Sequence, residues 1–174
     1  MAASIILPRL PWPSQPLQPS AIRDSKKLSP RERERLYPFI IDMCLDYCVA
    51  VIEAPVIDAL NVFQASLQAM RRAVRGLRTV PDLVLVDGPW GLQSGIEERA
   101  IIHGDDLSLN IGAASIVAKV TRDAMMAGWE RDWPGFSFAA HKGYGTAAHL
   151  AEIRRYGLTP LHRRSFAPCQ QPVS

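Results

Sequence analysis

Acidic residues stand at two points where folded chains often present charged groups. Asp87 ends the apolar run at positions 83–86, which is typical of a buried strand with a charge at its carboxyl end. Asp105 and Asp106 precede a run of small residues, and Asp123 lies further along that run. Carboxylate oxygens are the ligands that magnesium and manganese prefer, and such ions can activate a water molecule. Acidic groups of this kind, if they converge, could hold a metal ion that assists hydrolysis.

Each of these acidic residues also has an alternative interpretation. Asp87 precedes a glycine, and the Asp-Gly pair is common in turns. Lys119 and Asp123 are four residues apart on a predicted helix, so they share a face and could form a surface salt bridge. Asp106 could compete with Asp105 for a place in the site, although the glycine before Asp105 favours Asp105.

Hydrophobic periodicity predicts that strands and helices alternate along the chain. Strands are expected over 2–7, 47–54, 83–87 and 99–103, and helices from Ser29 to about Asp46, over 57–77, over about 110–127 and over 146–156. Ser29 and Pro30 form a helix start, and Pro38 is expected to interrupt that helix. Gly157 is expected to end the last helix. The helix over 57–77 should bury an apolar stripe at positions 60, 63, 67, 70, 74 and 77.

Length and composition agree with one compact domain. The chain has 174 residues, of which 48% are hydrophobic, and this is enough for a full core. The net charge of +3 permits an anionic partner without requiring one. The apolar runs are too short for a membrane span, and positions 1–7 lack the features of a signal peptide, so a cytoplasmic protein is expected. Five prolines over 8–19 predict an extended connector.

Cysteine and histidine residues show no zinc-ligand spacing. Cys44 and Cys48 are expected on one helix as buried thiols, and Cys169 is expected to be a surface thiol. Three of the four histidines are expected to be structural or to lie near phosphate, namely His141, His149 and His162. A solvated helix face is the expected role of the arginines at 71, 72, 75 and 78.

Several blocks of residues, in one fixed order, resemble the ribonuclease HII family from about residue 2 to about residue 168. The blocks occupy 24–29, 57–58, 60–62, 70–74, 84–88, 104–105, 113–123, 141–146 and 162–166. They include Val-Leu-Val-Asp-Gly at 84–88 and His-Lys-Gly-Tyr-Gly-Thr at 141–146. One block alone would be a weak signal, but several blocks in family order are not expected by chance.

The resemblance implies an α/β fold of the ribonuclease H-like type, a mixed sheet flanked by helices. It also implies a metal-dependent endonuclease, a hydrolase that cuts the RNA strand of RNA–DNA hybrids or cuts at ribonucleotides embedded in DNA. Two divalent ions, Mg²⁺ or Mn²⁺, roughly 4 Å apart would activate a water and stabilise the leaving oxygen. Asp87 and Asp105 match two of the family's principal metal-binding carboxylates, and Asp123 matches an accessory acidic group.

Substrate contacts are implied by the same resemblance. Tyr144 matches the family tyrosine that packs on a sugar at the RNA–DNA junction, and contact with the 2′-hydroxyl distinguishes RNA from DNA. The alternative is a loop tyrosine that covers the core. Basic residues in the matching blocks are expected to contact phosphate or substrate, namely Lys26, Lys119, Lys142 and Arg163.

The chain departs from the family at one end. The family's first strand carries an Asp-Glu pair followed by Gly-Arg-Gly, and this motif does not occur in the sequence. Positions 1–8 instead resemble the family's second strand. Two of the four main carboxylates are therefore absent, and so is the glycine loop that senses the ribose 2′-hydroxyl. In the family's topology the first strand is interior, so its loss would leave two strand edges unpaired.

We expect an N-terminally truncated ribonuclease HII-like domain over 1–168, followed by a tail at 169–174. Two hypotheses follow for its function. Unsatisfied buried backbone groups cost about 1–3 kcal/mol each, against a net stability of about 5–15 kcal/mol. The chain is therefore expected to be marginally stable, domain-swapped or prone to aggregation. In the first hypothesis upstream sequence supplies the strand, and a monomeric endonuclease results. In the second the chain is an inactive truncated homologue that at most binds hybrid duplexes.

Overall fold

The structure, a computed structural model, describes residues 1–8, 22 and 25–170. Its strands are β1 Ala2–Ile6, β2 Asp46–Ala50, β3 Val84–Asp87 and β4 Glu98–Ile101. Its α-helices are α1 Pro30–Met43, α2 Ala54–Leu60, α3 Val62–Arg75, α4 Gly104–Leu107, α5 Leu109–Asp132, α6 Phe138–His141 and α7 Ala147–Tyr156, and a 3₁₀ turn covers Ala167–Cys169. This alternation of strands and helices confirms the predicted α/β class.

The strands within the described residues form two separate two-stranded sheets. β1 and β2 are antiparallel, with Ala2 opposite Ala50. β3 and β4 are parallel, with Asp87 opposite Ile101. Both kinds of pairing are present, as a mixed arrangement requires. Among the described residues, β1 and β3 each pair with one other strand.

Internal contacts divide the chain into two compact units. The first unit comprises Met1–Val51 and Ser66–Val120, and the second comprises Ile52–Ala65 and Thr121–Ser174. Helix α5 contributes residues to both units. The assignment of residues 1–168 to one domain, with a tail after it, stays a prediction.

The core of the first unit is formed mainly by α1 and α5. Its most buried side chains, at most 1% exposed, are Leu36, Ile40, Ala113, Ile116 and Val117. Side chains of β1 and β2 pack against this cluster. A second apolar cluster connects α3 to β3 and consists of Val74, Val84, Val86 and Leu92. The small side chain of Ala113 in α5 thus lies within this tightly buried cluster.

The core of the second unit consists of Met126, Phe136, Phe138 and Ile153. Helix α7 covers it and has the predicted ends, because the Thr146 side chain accepts a hydrogen bond at the start and Gly157, with φ of 77°, follows the last turn. Cys169 packs against this cluster and is half-buried, so the prediction of a surface thiol is wrong. Burial raises the pKa of the Cys169 thiol.

Helix α1 begins as predicted and ends earlier. Ser29 and Glu32 form a reciprocal capping box, which satisfies two backbone N–H groups at the helix start. Pro38 lies inside the helix without ending it, so the expected interruption is not observed. The helix ends at Met43 rather than near Asp46, because the chain becomes extended at the next residue.

The two N-terminal cysteines do not share a helix, contrary to the prediction. Cys44 follows α1 and Cys48 lies in β2. The chain turns into a strand between them, where the Asp46 carboxylate accepts hydrogen bonds from the backbone N–H groups of Arg78 at 2.6 Å and Thr79 at 2.9 Å. These hydrogen bonds, with that from Thr79 first, hold the pKa of Asp46 below its ordinary value.

The predicted helix over 57–77 is wrong in its bounds, because two helices occupy the region. Asn61 separates α2 from α3 with φ of 71°, a backbone conformation that asparagine tolerates better than most residues. Its side-chain oxygen accepts a hydrogen bond from the Gln64 N–H at 3.0 Å and so caps α3. Leu60 and Phe63 of the predicted stripe are 37% and 47% exposed. Val74 of the stripe is buried as predicted, and Ala65, Ala69 and Ala73, which are not in the stripe, are buried as well.

The remaining elements differ from the prediction mainly in their ends. Helix α5 extends to Asp132, further than predicted, and the short helices α4 and α6 were not predicted. Apart from Pro8, the predicted connector over 8–19 lies outside the described residues. None of the helices in the described ranges is both long and apolar enough to span a bilayer. The cytoplasmic location stays a prediction.

Candidate active site

Asp87 is the last residue of β3 and lies at its carboxyl end, as predicted. One carboxylate oxygen, Oδ1, accepts a hydrogen bond from the backbone N–H of Gly104 at 2.9 Å. Gly88 follows with φ of 106° and donates its N–H to the Ile101 carbonyl at 2.9 Å. The Asp-Gly pair therefore does turn the chain, and the turn presents the Asp87 carboxylate to the start of α4.

Gly104 makes this close approach possible. A Cβ atom at Gly104 would lie 2.5 Å from Cδ1 of Ile111 and 3.4 Å from Oδ1 of Asp87. The residue before it, His103, has a left-handed backbone with φ of 57°, which is uncommon outside glycine. The chain between β4 and α4 thus has a tight conformation that brings the start of α4 against the end of β3.

The two neighbouring acidic residues of α4 have different surroundings. Asp105 is 8% exposed. Asp106 forms a salt bridge with Lys27, and both of these side chains reach the surface. The Asp87 carboxylate accepts a hydrogen bond from the N–H of Gly104, the residue next to Asp105, so the backbone at Asp105 lies near Asp87. This favours Asp105 over Asp106, although the roles of both stay predictions.

A cavity of about 660 Å³ lies in the first unit beside Asp87. Residues of β1 and β3 line it, together with Ala114, Ser115 and Ala118 of α5. Its volume falls within the range of small-molecule pockets, about 300–1,000 Å³. Because both lining strands pair with only one other strand among the described residues, the cavity is bounded by two sheet edges.

The loop that carries Lys26 is fixed in the same unit. The buried Arg33 donates from its guanidinium to the backbone carbonyls of Ser25 and Leu28. The Ser25 hydroxyl forms a hydrogen bond with the Ser115 hydroxyl at 2.7 Å. Lys26 is exposed on this loop. Asp24, at the start of the matching block, lies outside the described residues.

The predicted arginine face of α3 has a mixed role. Arg71 donates from Nε to the Leu92 carbonyl at 2.5 Å, and Arg78 lies beyond the helix, with Nε 3.6 Å from Asp46. Arg72 and Arg75 are exposed, as a solvated face requires. Two of the four arginines therefore help to hold the fold.

Asp87 and Asp105 are hard oxygen donors, so they fit magnesium or manganese in kind. They do not form a complete site. Within residues 1–8, 22 and 25–170, no group of three or more His, Cys, Asp or Glu side chains is placed so that it could hold a metal ion. The donor set therefore fits the implied metal in its chemistry and falls short in its number of ligands.

Asp123 and Lys142 belong to the second unit, where backbone contacts connect them. Lys142 Nζ donates to the Asp123 carbonyl at 3.4 Å, and the Arg122 guanidinium donates to the Lys142 carbonyl at 3.1 Å. Lys142 has a left-handed backbone with φ of 51°. The accessory role of Asp123, its alternative salt bridge and the role of Lys119, which is half-buried on α5, stay predictions.

Tyr144 lies on a loop over 142–146, which we call the Tyr144 loop, and its side chain is 62% exposed. The interpretation of Tyr144 as a residue that covers the core is therefore disfavoured. Arg163 is half-buried, with its guanidinium carbon 5.1 Å from the ring centre of Phe166. Its turn is held by Asp58, whose carboxylate accepts hydrogen bonds from the N–H groups of Arg164 at 2.8 Å and Ser165 at 2.9 Å.

Sequence reasoning missed the Asp58 anchor. Hydrogen bonds from Ser165, first from its hydroxyl and then from its N–H, hold the pKa of Asp58 below its ordinary value. Both residues lie in blocks that match the family, more than a hundred positions apart. The available signal was that both residues lie in matching blocks. A single sequence, however, does not reveal which of these blocks contact each other.

The buried histidines of the second unit were expected to be structural or near phosphate, and they form one cluster. The ring of His141 stacks on the ring of His149, with ring centres 4.0 Å apart. The Nε2 atoms of His149 and His162 are 2.9 Å apart. Burial lowers the pKa of both His149 and His162. No metal spacing in the sequence suggested this cluster, because contacts through the fold bring the rings together.

Solved structures define the fold class. The ribonuclease H2 from Pyrococcus horikoshii OT3 superposes with a TM-score of 0.72 at 24% sequence identity, covering 87% of this chain and 79% of that chain. The structure of the PCNA:RNase HII complex from Archaeoglobus fulgidus gives a TM-score of 0.68 at 20% identity, covering 84% of this chain and 79% of that chain. At this level of identity they establish the fold alone.

Sequence comparisons define the family. The family model described as Ribonuclease HII matches residues 12–169. A Ribonuclease HII from Coxiella burnetii (strain RSA 493 / Nine Mile phase I) is 49% identical over 150 residues, which are 86% of this chain and 74% of the relative. Ribonuclease HII 1 from Methylibium petroleiphilum is 44% identical over 174 residues, covering 100% of this chain and 85% of the relative. The chain belongs to the ribonuclease HII family and is by that membership an endoribonuclease.

Proposed function

We propose that this chain provides part of a metal-dependent endonuclease site that cuts the RNA strand of RNA–DNA hybrids and cuts at ribonucleotides embedded in DNA. The observation that carries the proposal is the hydrogen bond from the Gly104 N–H to the Asp87 carboxylate. It holds the Asp87 carboxylate, at a strand end where ligands of α/β proteins commonly bind, against the residue that precedes Asp105.

Asp87 and Asp105 would hold the divalent ion, Mg²⁺ or Mn²⁺. When bound, such an ion activates water and stabilises a leaving oxygen of the phosphodiester. The chain's own contribution is to fix the ligands. The tight backbone at Gly104 orients the Asp87 carboxylate, and the buried position of Asp105 limits the movement of its side chain.

The cavity beside Asp87 supports the idea that a further strand completes the site. Strands β1 and β3 both line the cavity, and its remaining walls include small residues of α5. A polypeptide strand seated between these edges would satisfy their backbone groups, and its side chains would alternate between the two faces. An acidic pair on that strand would add the two carboxylates that the family pattern requires. A monomer is expected when the strand is present.

On the substrate side we propose that Tyr144 contacts the sugar at the junction, and that phosphates are met by Lys26, Lys119, Lys142 and Arg163. Two observations support this assignment. Tyr144 is 62% exposed, and Lys26 is exposed on a loop fixed by buried hydrogen bonds. Asp123 is proposed as an accessory acidic group.

A second candidate function is favoured by the small number of acidic ligands that come together. Within the described ranges, three or more potential metal ligands do not cluster. A chain without a complete metal site would bind hybrid duplexes through its basic groups and would not cut them. The two candidates share their substrate and differ in whether hydrolysis occurs.

One experiment separates these two candidates. The 174-residue chain, which we call the printed chain, is compared with an extended version. The extended version, which we call the strand-restored protein, carries at its amino end an additional strand with Asp-Glu followed by Gly-Arg-Gly. We expect little or no magnesium-dependent cleavage by the printed chain, and cleavage of both substrates by the strand-restored protein. The matched control carries Asn-Gln in place of Asp-Glu and should regain stability without activity. If the strand-restored protein folds and does not cut either substrate, the endonuclease proposal is wrong.

A further inference from the structure

Three buried histidines of the second unit lie at the base of the Tyr144 loop. We propose that His149 and His162 form a proton-ordered relay that positions this loop for contact with a nucleotide. The inference rests on the proposed function, in which Tyr144 contacts the sugar. It adds two positioning residues that act through the backbone of the loop and do not touch the substrate.

The hydrogen-bond partners determine where each proton of the relay lies. The Thr159 N–H donates to Nδ1 of His162 at 3.0 Å, so this nitrogen accepts and a neutral ring carries its proton on Nε2. His162 then donates from Nε2 to Nε2 of His149 at 2.9 Å. The proton of His149 is consequently on Nδ1, which donates to the carbonyl oxygen of Tyr144 at 2.9 Å.

A third histidine holds the other side of the loop with the opposite tautomer. The Gly143 N–H donates to Nδ1 of His141 at 3.1 Å, so the proton of His141 is on Nε2. That nitrogen lies 2.8 Å from Oε2 of Glu152 and donates to it. Burial alone would raise the pKa of the Glu152 carboxyl. Hydrogen bonds from Ser137 and His141 outweigh burial and hold this pKa below its ordinary value. Glu152 therefore remains a carboxylate acceptor.

The relay ends on a loop whose backbone is fixed and whose side chain is exposed. The carbonyl of Tyr144 accepts hydrogen bonds from His149 and from the Thr146 N–H, the latter at 2.8 Å. The N–H of Tyr144 donates to the His141 carbonyl at 2.8 Å. The ring itself is largely exposed. The loop thus presents its tyrosine from a backbone that is held on both sides.

Protonation of the His149 ring would break the relay. His149 and His162 are 2% and 8% exposed, and burial lowers the pKa of each. The titratable groups beside them are His141, stacked on His149, and Glu152, paired with His141. A proton on Nδ1 of His162 could be accepted by the Thr159 hydroxyl oxygen, 2.9 Å away. A proton on Nε2 of His149, in contrast, would face the Nε2–H of His162. Two donors would then oppose each other at hydrogen-bond distance.

The first test is NMR of the histidine rings and loop amides of the printed chain during a pH titration. We expect protons on Nδ1 of His149 and on Nε2 of His162, with both rings neutral below the ordinary histidine pKa of about 6.5. The Gly143 and Gly145 amide resonances should change in the same pH step in which the rings protonate. A proton on Nε2 of His149 in the neutral protein overturns the proposal.

The second test uses two substitutions of His162 and a binding assay. His162→Leu removes the donor to His149, whereas His162→Gln keeps an N–H group near the position of Nε2. We expect His162→Leu to shift the loop amides and to lower the preference for a duplex with one embedded ribonucleotide over an all-DNA duplex by about tenfold, the size expected from one lost stacking contact. His162→Gln should retain most of that preference. Equal loss in both variants overturns the relay, since a merely structural role would give that result.

Failure of the proposed function gives a different result. If the printed chain has no preference for the ribonucleotide duplex, or if Tyr144→Ala leaves that preference unchanged, the role of Tyr144 is wrong. The ring tautomers and loop shifts report on the relay independently of binding. If His162→Leu does not fold, the pH titration of the parent and the His162→Gln comparison still decide the question.

Discussion

The acidic site of the first unit and the Tyr144 loop of the second are held by different kinds of contact. The Asp87 carboxylate is held against the start of α4, which carries Asp105, by one hydrogen bond from Gly104, 17 positions away. A cavity bounded by two strand edges lies next to it. The backbone of the Tyr144 loop is fixed by histidine and glutamate partners from the 141–162 segment. The candidate recognition element is held by nearby partners, whereas within the described residues three or more potential metal ligands do not cluster at the candidate catalytic element.

Under the proposed function, the acidic site, rather than the Tyr144 loop, is expected to depend on a further strand. A loop held by nearby residues keeps its conformation when a distant strand is absent. A metal site assembled at strand ends needs each strand that contributes a ligand. Binding and hydrolysis are therefore expected to be separable in this chain, and the predictions below test that separation.

The largest expected effect comes from removing a ligand charge in the strand-restored protein. Asp87→Asn and Asp105→Asn preserve shape, and each should lower turnover by about 100-fold or more, because even outer-shell partners of metal ligands are worth 10–100-fold. Duplex binding should remain nearly unchanged. Asp123→Asn should be milder. Turnover is measured on a hybrid substrate at saturating magnesium.

Asp106→Asn is the matched control for Asp105→Asn. Asp106 forms its salt bridge with Lys27 at the surface, and exposed pairs contribute at most about 1 kcal/mol. This variant should therefore cut nearly as well as the parent. A loss of turnover in Asp106→Asn equal to that in Asp105→Asn would show that the wrong acidic residue was assigned.

Sequence periodicity predicts the α/β class, β1, β3 and the ends of α7, because these elements have clear apolar patterns and local caps. It fails at Asn61, where one residue with φ of 71° divides an apparently continuous helix. It also fails at Cys44 and Cys48, because the carboxylate that starts β2 is bound to backbone N–H groups 32 and 33 residues away. Local patterns carry no information about such distant partners.

The residues of the candidate site also differ in how far the sequence predicts them. Asp87 is predictable as the charged end of an apolar run, and Asp105 as an acidic residue after a glycine. The sequence does not show why position 104 is a glycine. The reason is that a Cβ atom at Gly104 would lie within 3.4 Å of atoms of Ile111 and Asp87. The histidine cluster was not predictable either, because its members have no metal-ligand spacing and meet only in the folded chain, where His149 also packs against Phe136 and Phe138.

Removing substrate contacts should separate sugar recognition from phosphate attraction. In the strand-restored protein Tyr144→Ala removes a stacking surface worth about 1–3 kcal/mol per nucleotide, so junction cleavage should fall while the salt slope of binding stays the same. Lys142→Ala should weaken binding to all duplexes and lower the salt slope by about one unit. Both are read from one salt titration. If Tyr144→Ala cuts embedded ribonucleotides as well as the parent does, the tyrosine is structural.

Crowding at Gly104 should disturb the acidic site more than the fold. In Gly104→Ala the new methyl group would press on Ile111 and approach Asp87, so we expect a loss of about 1–3 kcal/mol of unfolding free energy, as for other overpacked sites. Turnover of the strand-restored protein should fall further than this loss explains. Gly128→Ala, where the nearest atom is 3.9 Å away on a flexible arginine, should leave turnover unchanged. Equal turnover in both variants would show that Gly104 does not help to position the acidic site.

The smallest expected effect is on stability as pH falls. The pKa values of His149 and His162 are lowered in the folded state by burial, so the unfolded chain binds more protons and the unfolding free energy should decrease below about pH 6.5. The pKa values of Asp58 and Glu98 are also lowered in the folded state. Their contribution should be present above about pH 4 and lost as each carboxylate protonates. Urea unfolding at a series of pH values measures both steps. The first step should become smaller in His162→Gln, and a step of unchanged size in that variant would show that other groups cause it.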